Sequence, residues 1–340
     1  MPGSQRSEKM NNKKLVANTY YKMVTNHRES QLFFAALKLD IFSYLDNEIS
    51  IEEIADQSTY DIRNLKLILN ALASIHLIEK HENKFVNTEE GKFYLSKSSK
   101  YYIGDAILFR NEMMSLDNIE NRVRFGPDKA ITQHNQGQKV YNFTKLAKVS
   151  IPEIYLWRIE PLINLMNTIY QDSEPNKILD LGGGSGAMGI ELCKAFPNSK
   201  GVIFEEPKVS LVAEDLISKN NLSTRVSVQK GDFIKDDIGS GYDIIIASGI
   251  IDFAKDHLQD FVKKLYDALN KNGIIYLITH GFSEDYLEPP ETILGWLSSH
   301  LDGLNLLLTD KVIQDAMTDS GFRLYKQDKS GNHSIKVYQK

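Results

Sequence analysis

Residues 176–189, Asn-Lys-Ile-Leu-Asp-Leu-Gly-Gly-Gly-Ser-Gly-Ala-Met-Gly, carry the side chains best spaced for chemistry. Ile178, Leu179 and Leu181 make a short apolar run, five small residues follow, and over 188–196 the apolar positions recur at helical spacing. This reads as a buried strand, a glycine loop and a helix. Glycines belong there because a backbone that turns sharply and lies against a ligand has no room for Cβ, while the helix start offers unpaired N–H groups. Two registers fit the loop. Gly184-Ser185-Gly186-Ala187-Met188-Gly189 satisfies the G-x-G-x-x-G of dinucleotide-binding loops, with Glu205 near the distance of a ribose-binding acid. The register Asp180-x-Gly182-x-Gly184-x-Gly186 instead puts a carboxylate at the strand tip, where it suits an ammonium group and repels a pyrophosphate. The expected ligand is a cationic nucleoside rather than NAD.

The elements needed to present that loop follow in regular alternation, which implies α/β architecture with a doubly wound, mostly parallel sheet. Strands are expected over 201–204, 225–229, 242–247 and 273–279, and helices over 209–219 and 258–270. Segments 322–327 and 334–339, flanking Ser330-Gly331-Asn332, read as a closing hairpin that adds an antiparallel strand. Before the loop, 143–170 is helical, with a boundary or kink at Ile151-Pro152. Breaks are marked by Gly126-Pro127 and by His134 to Gly137.

The N-terminal part has another pattern. Residues 1–25 lack periodicity and read as a disordered tail or a remnant of expression. Residues 26–45 suggest two short helical pieces broken near Leu39-Asp40, Ser50 with Glu53 forms a capping box, and 62–75 is a third helix. Two extended stretches, 76–80 and 84–87, complete a winged-helix pattern. Such a module can bind DNA, but the third helix exposes only Arg63 and Lys66 as cations, too few to neutralise several phosphates.

Composition narrows the classes. The chain has 340 residues, 42% apolar and 25% charged, which allows two domains of an ordinary globular kind. A net charge of -5 argues against a general nucleic-acid or anionic-membrane binder. No apolar run approaches the ~18 residues of a membrane span and no signal-peptide pattern opens the chain, so a cytoplasmic protein is expected. The single cysteine, Cys193, lies on the apolar side of its helix and reads as a structural thiol. No metal site is expected.

Asp180-x-Gly-x-Gly-x-Gly resembles motif I of class I S-adenosylmethionine-dependent methyltransferases. With 202–209, Val-Ile-Phe-Glu-Glu-Pro-Lys-Val, and Gly231-Asp232-Phe233, the chain resembles the small-molecule O-methyltransferases that include plant phenolic, acetylserotonin and bacterial antibiotic-tailoring enzymes. The resemblance implies a Rossmann-like seven-stranded domain over 171–340, a winged-helix module over 26–100 that makes a homodimer, and connecting helices over 101–170. Tyr101, Tyr102, Phe109, Met113 and Met114 there are candidates for contact with a small-molecule acceptor or for plain core packing. For the cofactor, S-adenosylmethionine, Asp180 would face the ammonium and Glu205 the two ribose hydroxyls. Asp232 would accept from the adenine amino group beside Phe233. Gly182, Gly184 and Ser248 complete the set, and Glu206 points away.

Methyl transfer needs alignment, exclusion of water and, for a neutral hydroxyl, a base. The family's base is a His after the fourth strand; here Asp252 stands at that position. Either Asp252 acts, or His280 or His257 substitutes, or no base is needed because the acceptor ionises easily or the cofactor serves non-methylation chemistry such as decarboxylation, hydroxylation or a pericyclic step. A winged-helix regulator that senses the cofactor is the non-enzymatic alternative.

Overall fold

The computed structural model describes residues 3–127, 141–304, 307–330 and 333–340, with side chains over 17–127, 141–304, 307–328 and 334–340. The breaks expected at His134 to Gly137 and at Gly331-Asn332 lie outside the described residues. Two compact units, Met1–Leu108 and Phe109–Lys340, divide the chain.

The first unit contains α1 (Gly3–Lys38), α2 (Ile41–Tyr44), β1 (Ile49–Ser50), α3 (Ile51–Gln57), α4 (Ile62–Ser74), β2 (Ile78–His81), β3 (Lys84–Asn87) and α5 (Glu89–Tyr94). Asp40, at φ 53°, separates α1 from α2 where a break was expected. The capping box forms: Ser50 Oγ accepts from the Glu53 amide and the Glu53 carboxylate accepts from the Ser50 amide. Leu65, Leu69 and Leu72 of α4 pack against Phe42, Ile54 and Phe85. The wing has three strands in the order β1-β3-β2, since two-residue β1 joins the two expected ones. The expectation of a disordered tail over 1–25 is corrected, because α1 is helical from Gly3 onward. Its side chains over 17–31 are exposed, so no buried stripe marks it and periodicity could not signal it.

In the second unit, α6 (Gly104–Met113), which straddles the division, and α7 (Ile119–Phe125) precede three short helices. These are α8 (Phe143–Val149), α9 (Ile151–Trp157) and α10 (Ile159–Ile169), with Pro152 in the first turn of α9 as its fixed φ allows. Next come β4 (Lys177–Leu181), α11 (Ala187–Ala195), β5 (Lys200–Glu205), α12 (Ser210–Lys219), β6 (Val226–Lys230) and β7 (Tyr242–Ser248). A 3-10 helix (Ile251–His257) leads into α13 (Leu258–Ala268), β8 (Leu269–Thr279), α14 (Pro290–Leu301), α15 (Asp310–Asp319), β9 (Arg323–Ser330) and β10 (His333–Gln339). The sheet order is β6-β5-β4-β7-β8-β10-β9; the first five strands are parallel and β10 is antiparallel to both neighbours.

Alternation along each strand feeds two cores. Ile178, Ile203, Ile244 and Ile246 pack with Leu162 and Met166 of α10, Ile190 of α11 and Ile217 of α12. Leu179, Phe204, Ile245 and Leu277 pack with Phe261 and Leu265 of α13 and Met317 of α15. Strand order reverses between β4 and β7, which opens a crevice at their carboxyl ends.

Candidate functional site

The loop after β4 closes on the crevice. Gly182, at φ +61°, would carry a Cβ only 2.6 Å from Ile250 Cγ2 and 3.5 Å from the Phe233 ring, so the approach of these three residues requires glycine. Gly186, at φ +72°, starts α11 against Ile203. Asp180 is 2% exposed and its Oδ2 accepts from the Gly189 amide at 2.9 Å. Burial, opposed by that amide and reinforced by the charge of Glu205, pushes the Asp180 carboxyl up to about 7. Glu205 ends β5 with its Oε2 accepting from Gly184 N and its Oε1 from Glu206 N, both at 2.7 Å. Burial raises its carboxyl above the usual range, against the pull of those two amides. Each oxygen keeps a lone pair for a second donor.

Asp232 lies in the turn after β6 rather than at the strand end. Its Oδ1 accepts from Ile234 N at 3.0 Å and its Oδ2 faces Lys235 Nζ at 3.0 Å. Partial burial raises this carboxyl, but Lys235 and the amides of Ile234 and Lys235 outweigh it and hold the group below the usual carboxylate value. Lys264 Nζ donates to the carbonyls of Phe233, Ile234 and Asp236, tying the turn to α13. Ser248 ends β7 and accepts from Arg158 Nη1 at 2.8 Å. Arg158, at the junction of α9 and α10, is a functional candidate that sequence reasoning missed; its only signal was an isolated cation in an otherwise apolar helical run.

The acceptor edge differs from its expectation. Asp252, at the position of the family's base, is 2% exposed: Oδ2 stands 2.9 Å from His280 Nδ1 and Oδ1 accepts from Leu308 N at 2.9 Å. A carboxylate with both oxygens engaged and no solvent orients its imidazole and does not itself serve as a strong base. An ionised carboxylate can only accept, so beside it the imidazole tautomer that fits is the one with its proton on Nδ1 and its lone pair on Nε2. His257, at the end of the 3-10 helix, is exposed. The His280 ring stands edge-to-face to Trp296, with centroids 5.0 Å apart. Trp296 belongs to an apolar cluster with Met113, Tyr141, Phe143 and Phe253, while Met114 lies beside Gly295. Tyr101 and Tyr102 are engaged within the first unit, stacked on Phe93 and bonded to Asp105 respectively. Phe109 is buried, with Lys145 Nζ over its ring.

Cys193 is buried in the helix after the glycine loop. Among the described residues no helix is long and apolar enough to cross a membrane, and no group of three or more His, Cys, Asp or Glu side chains is placed to hold a metal.

A family model for an O-methyltransferase domain matches residues 164–304, and one for an O-methyltransferase dimerisation domain matches residues 21–97. The chain is 28% identical over 289 residues to an uncharacterised protein of Methanocaldococcus jannaschii, covering 82% of this chain and 75% of that one. It is 25% identical over 329 residues to acetylserotonin O-methyltransferase of Gallus gallus, covering 89% and 91% respectively. The crystal structure of human N-acetylserotonin methyltransferase in complex with SAM matches with a TM-score of 0.76 at 20% identity, over 96% of this chain and 97% of that one. At that identity the likeness shows the fold.

Proposed function

The chain belongs to the O-methyltransferase family that carries a dimerisation domain, and on that premise we propose that it transfers the methyl of S-adenosylmethionine to a hydroxyl of a small aromatic acceptor, with His280 as general base. The observation that carries this reading is the pair of buried Asp252 and half-buried His280 at the carboxyl end of the sheet.

The crevice fits the cofactor. The glycine cradle at Gly182 admits backbone where a Cβ would collide, Glu205 keeps acceptor capacity for a ribose diol, and Asp180 is a desolvated carboxyl that a nearby cation would favour in its ionised form. Asp180 would serve the ammonium and Glu205 the ribose. Asp232 and Phe233 would serve the adenine, while Ser248 with Arg158 would serve the carboxylate end. When bound, the cofactor supplies an already activated methyl on a sulfonium.

The chain's own residues supply the rest. His280 Nε2 takes the acceptor's hydroxyl proton, and Asp252 holds the Nδ1–H and stabilises the imidazolium that results. Phe143, Phe253 and Trp296 exclude water and give a flat acceptor apolar contact. The dyad removes the need for an acceptor that ionises unaided.

In the first unit, Tyr20, Tyr21 and Met23 of α1 and Ile62 and Leu67 of α4 are apolar and exposed, which supports self-association as a homodimer. Light scattering at micromolar concentration should give twice the chain mass; a clean monomer overturns the dimer.

The catalytic reading is tested by titrating the protein with S-adenosylmethionine, S-adenosylhomocysteine and NAD. Incubation with the first cofactor and a panel of phenols and naphthols, read by mass spectrometry, then reports transfer. Binding of the two sulfur compounds, and methylated product lost in His280→Ala with cofactor affinity unchanged, are expected. Preference for NAD, or transfer undiminished in His280→Ala, overturns it.

A further inference from the structure

Two imidazoles flank Trp296. His280 meets it edge-to-face at 5.0 Å; His300, one turn further along α14, lies 6.4 Å from it at an interplanar angle of 32°. Residues 296 and 300 share a helix face, so both present to the same side of α14. The two histidines differ in their bonding. His280 is held through Nδ1 by Asp252, whereas His300 Nε2 is buried without a hydrogen-bond partner among the described residues.

A buried ring nitrogen left without a partner is a destabilising feature, which a ligand that supplied the missing partner would relieve. The Tyr141 hydroxyl, in the same cluster, is bonded to Ser299 Oγ. Burial first, and then the charge of Lys255, hold the His300 imidazole below its usual pKa. At neutral pH it is therefore an uncharged ring that can bond a neutral polar group without requiring a counter-ion. Around it the cluster of Tyr141, Phe143, Phe253 and Trp296 favours flat apolar surface.

We propose that His300 is a specificity-determining residue whose Nε2 hydrogen-bonds a second polar substituent of the acceptor, so that the enzyme prefers aromatics bearing two polar groups. The substituent at His280 is the one methylated; the one at His300 fixes register. This rests on His280 being the base at the acceptor. A site with a buried hydrogen-bonding group discriminates against an analogue lacking the partner, because that group is then left unpaired in the complex.

The test uses the full chain saturated with S-adenosylhomocysteine and measures, by calorimetry, the binding of 1-naphthol and of the dihydroxynaphthalene isomers. At least one diol should bind about tenfold more tightly than 1-naphthol, the size of one neutral hydrogen bond. In His300→Phe that preference should vanish while 1-naphthol binding persists, and in His280→Ala it should survive. His300→Gln, which keeps a hydrogen-bonding group, should retain part of it and decides the matter if His300→Phe does not fold, as judged by cofactor affinity. Equal affinity for diols and naphthol, no binding of any of them, or a preference unchanged in whichever His300 variant folds overturns the proposal. Methylation of 1-naphthol by wild type, lost in His280→Ala, would leave the base in place even then, so the two failures are distinguishable.

Discussion

The proposed cofactor edge and the proposed acceptor edge of the crevice are built by different means. At the cofactor edge the working side chains are held by backbone amides: Asp180 by Gly189, Glu205 by Gly184 and Glu206, Asp232 by Ile234. At the acceptor edge the holding is done by side chains from distant segments. Asp252, in the 3-10 helix, bonds His280 beyond β8, and Trp296 of α14 packs on that ring. Amide-held groups come with the loop that carries them and move with it. A side-chain dyad has a tautomer and an orientation that one substitution can undo, so the two edges should fail differently.

The largest effect is expected from Asp252→Asn. An amide placed 2.9 Å from Nδ1 can donate to that nitrogen and push the proton to Nε2, removing the basic lone pair while Asn Oδ1 still accepts from Leu308 N. Single-turnover transfer should fall by about 10²–10⁴-fold with cofactor affinity intact. A loss of cofactor binding of similar size would instead erase the distinction between the edges.

Glu205→Ala should act the other way round. Losing hydrogen bonds to a charged acceptor, about 1.5–3 kcal/mol, weakens S-adenosylhomocysteine by about 10–100-fold in a titration. Thermal unfolding should remain a single transition close to that of wild type, because Gly184 is partly exposed and water can take its amide. A collapsed transition would show that the carboxylate is needed for the loop's fold rather than for the ligand.

The smallest effect is a pH dependence at Asp180. Its pKa is raised from 3.8 to about 7, so the folded apo protein keeps a proton that the unfolded chain releases. Stability from this group is therefore present below about pH 4 and lost as pH rises through 7. A cationic ligand favours the ionised form, so affinity for S-adenosylmethionine should rise about fourfold from pH 6.5 to 8, with proton release. Calorimetry in buffers of different ionisation enthalpy measures that proton, and Asp180→Asn should abolish the release. Binding that is flat with pH in wild type would place the ammonium away from Asp180.

Legibility in the sequence follows the same division. The glycine register, the acid ending β5, the capping box at Ser50 and the closing antiparallel strand were all readable, because each depends on residues close in sequence and on backbone geometry that few residue types allow. Helix α1 ahead of Asn26 was not, since its described side chains there, 17–25, are all exposed and write no periodicity. Arg158 and His300 were not, since nothing near them in the chain marks a partner.

Local order alone therefore determined the strand–loop–helix of the cofactor edge and the alternation that makes the sheet. Which acid meets which imidazole was decided only by tertiary structure. Asp252 and His280 are paired because β7 and β8 lie side by side in parallel and deliver the residues after both strands to one end of the sheet. Adjacency of strands is a property of the whole packed sheet, and no spacing within either segment contains it.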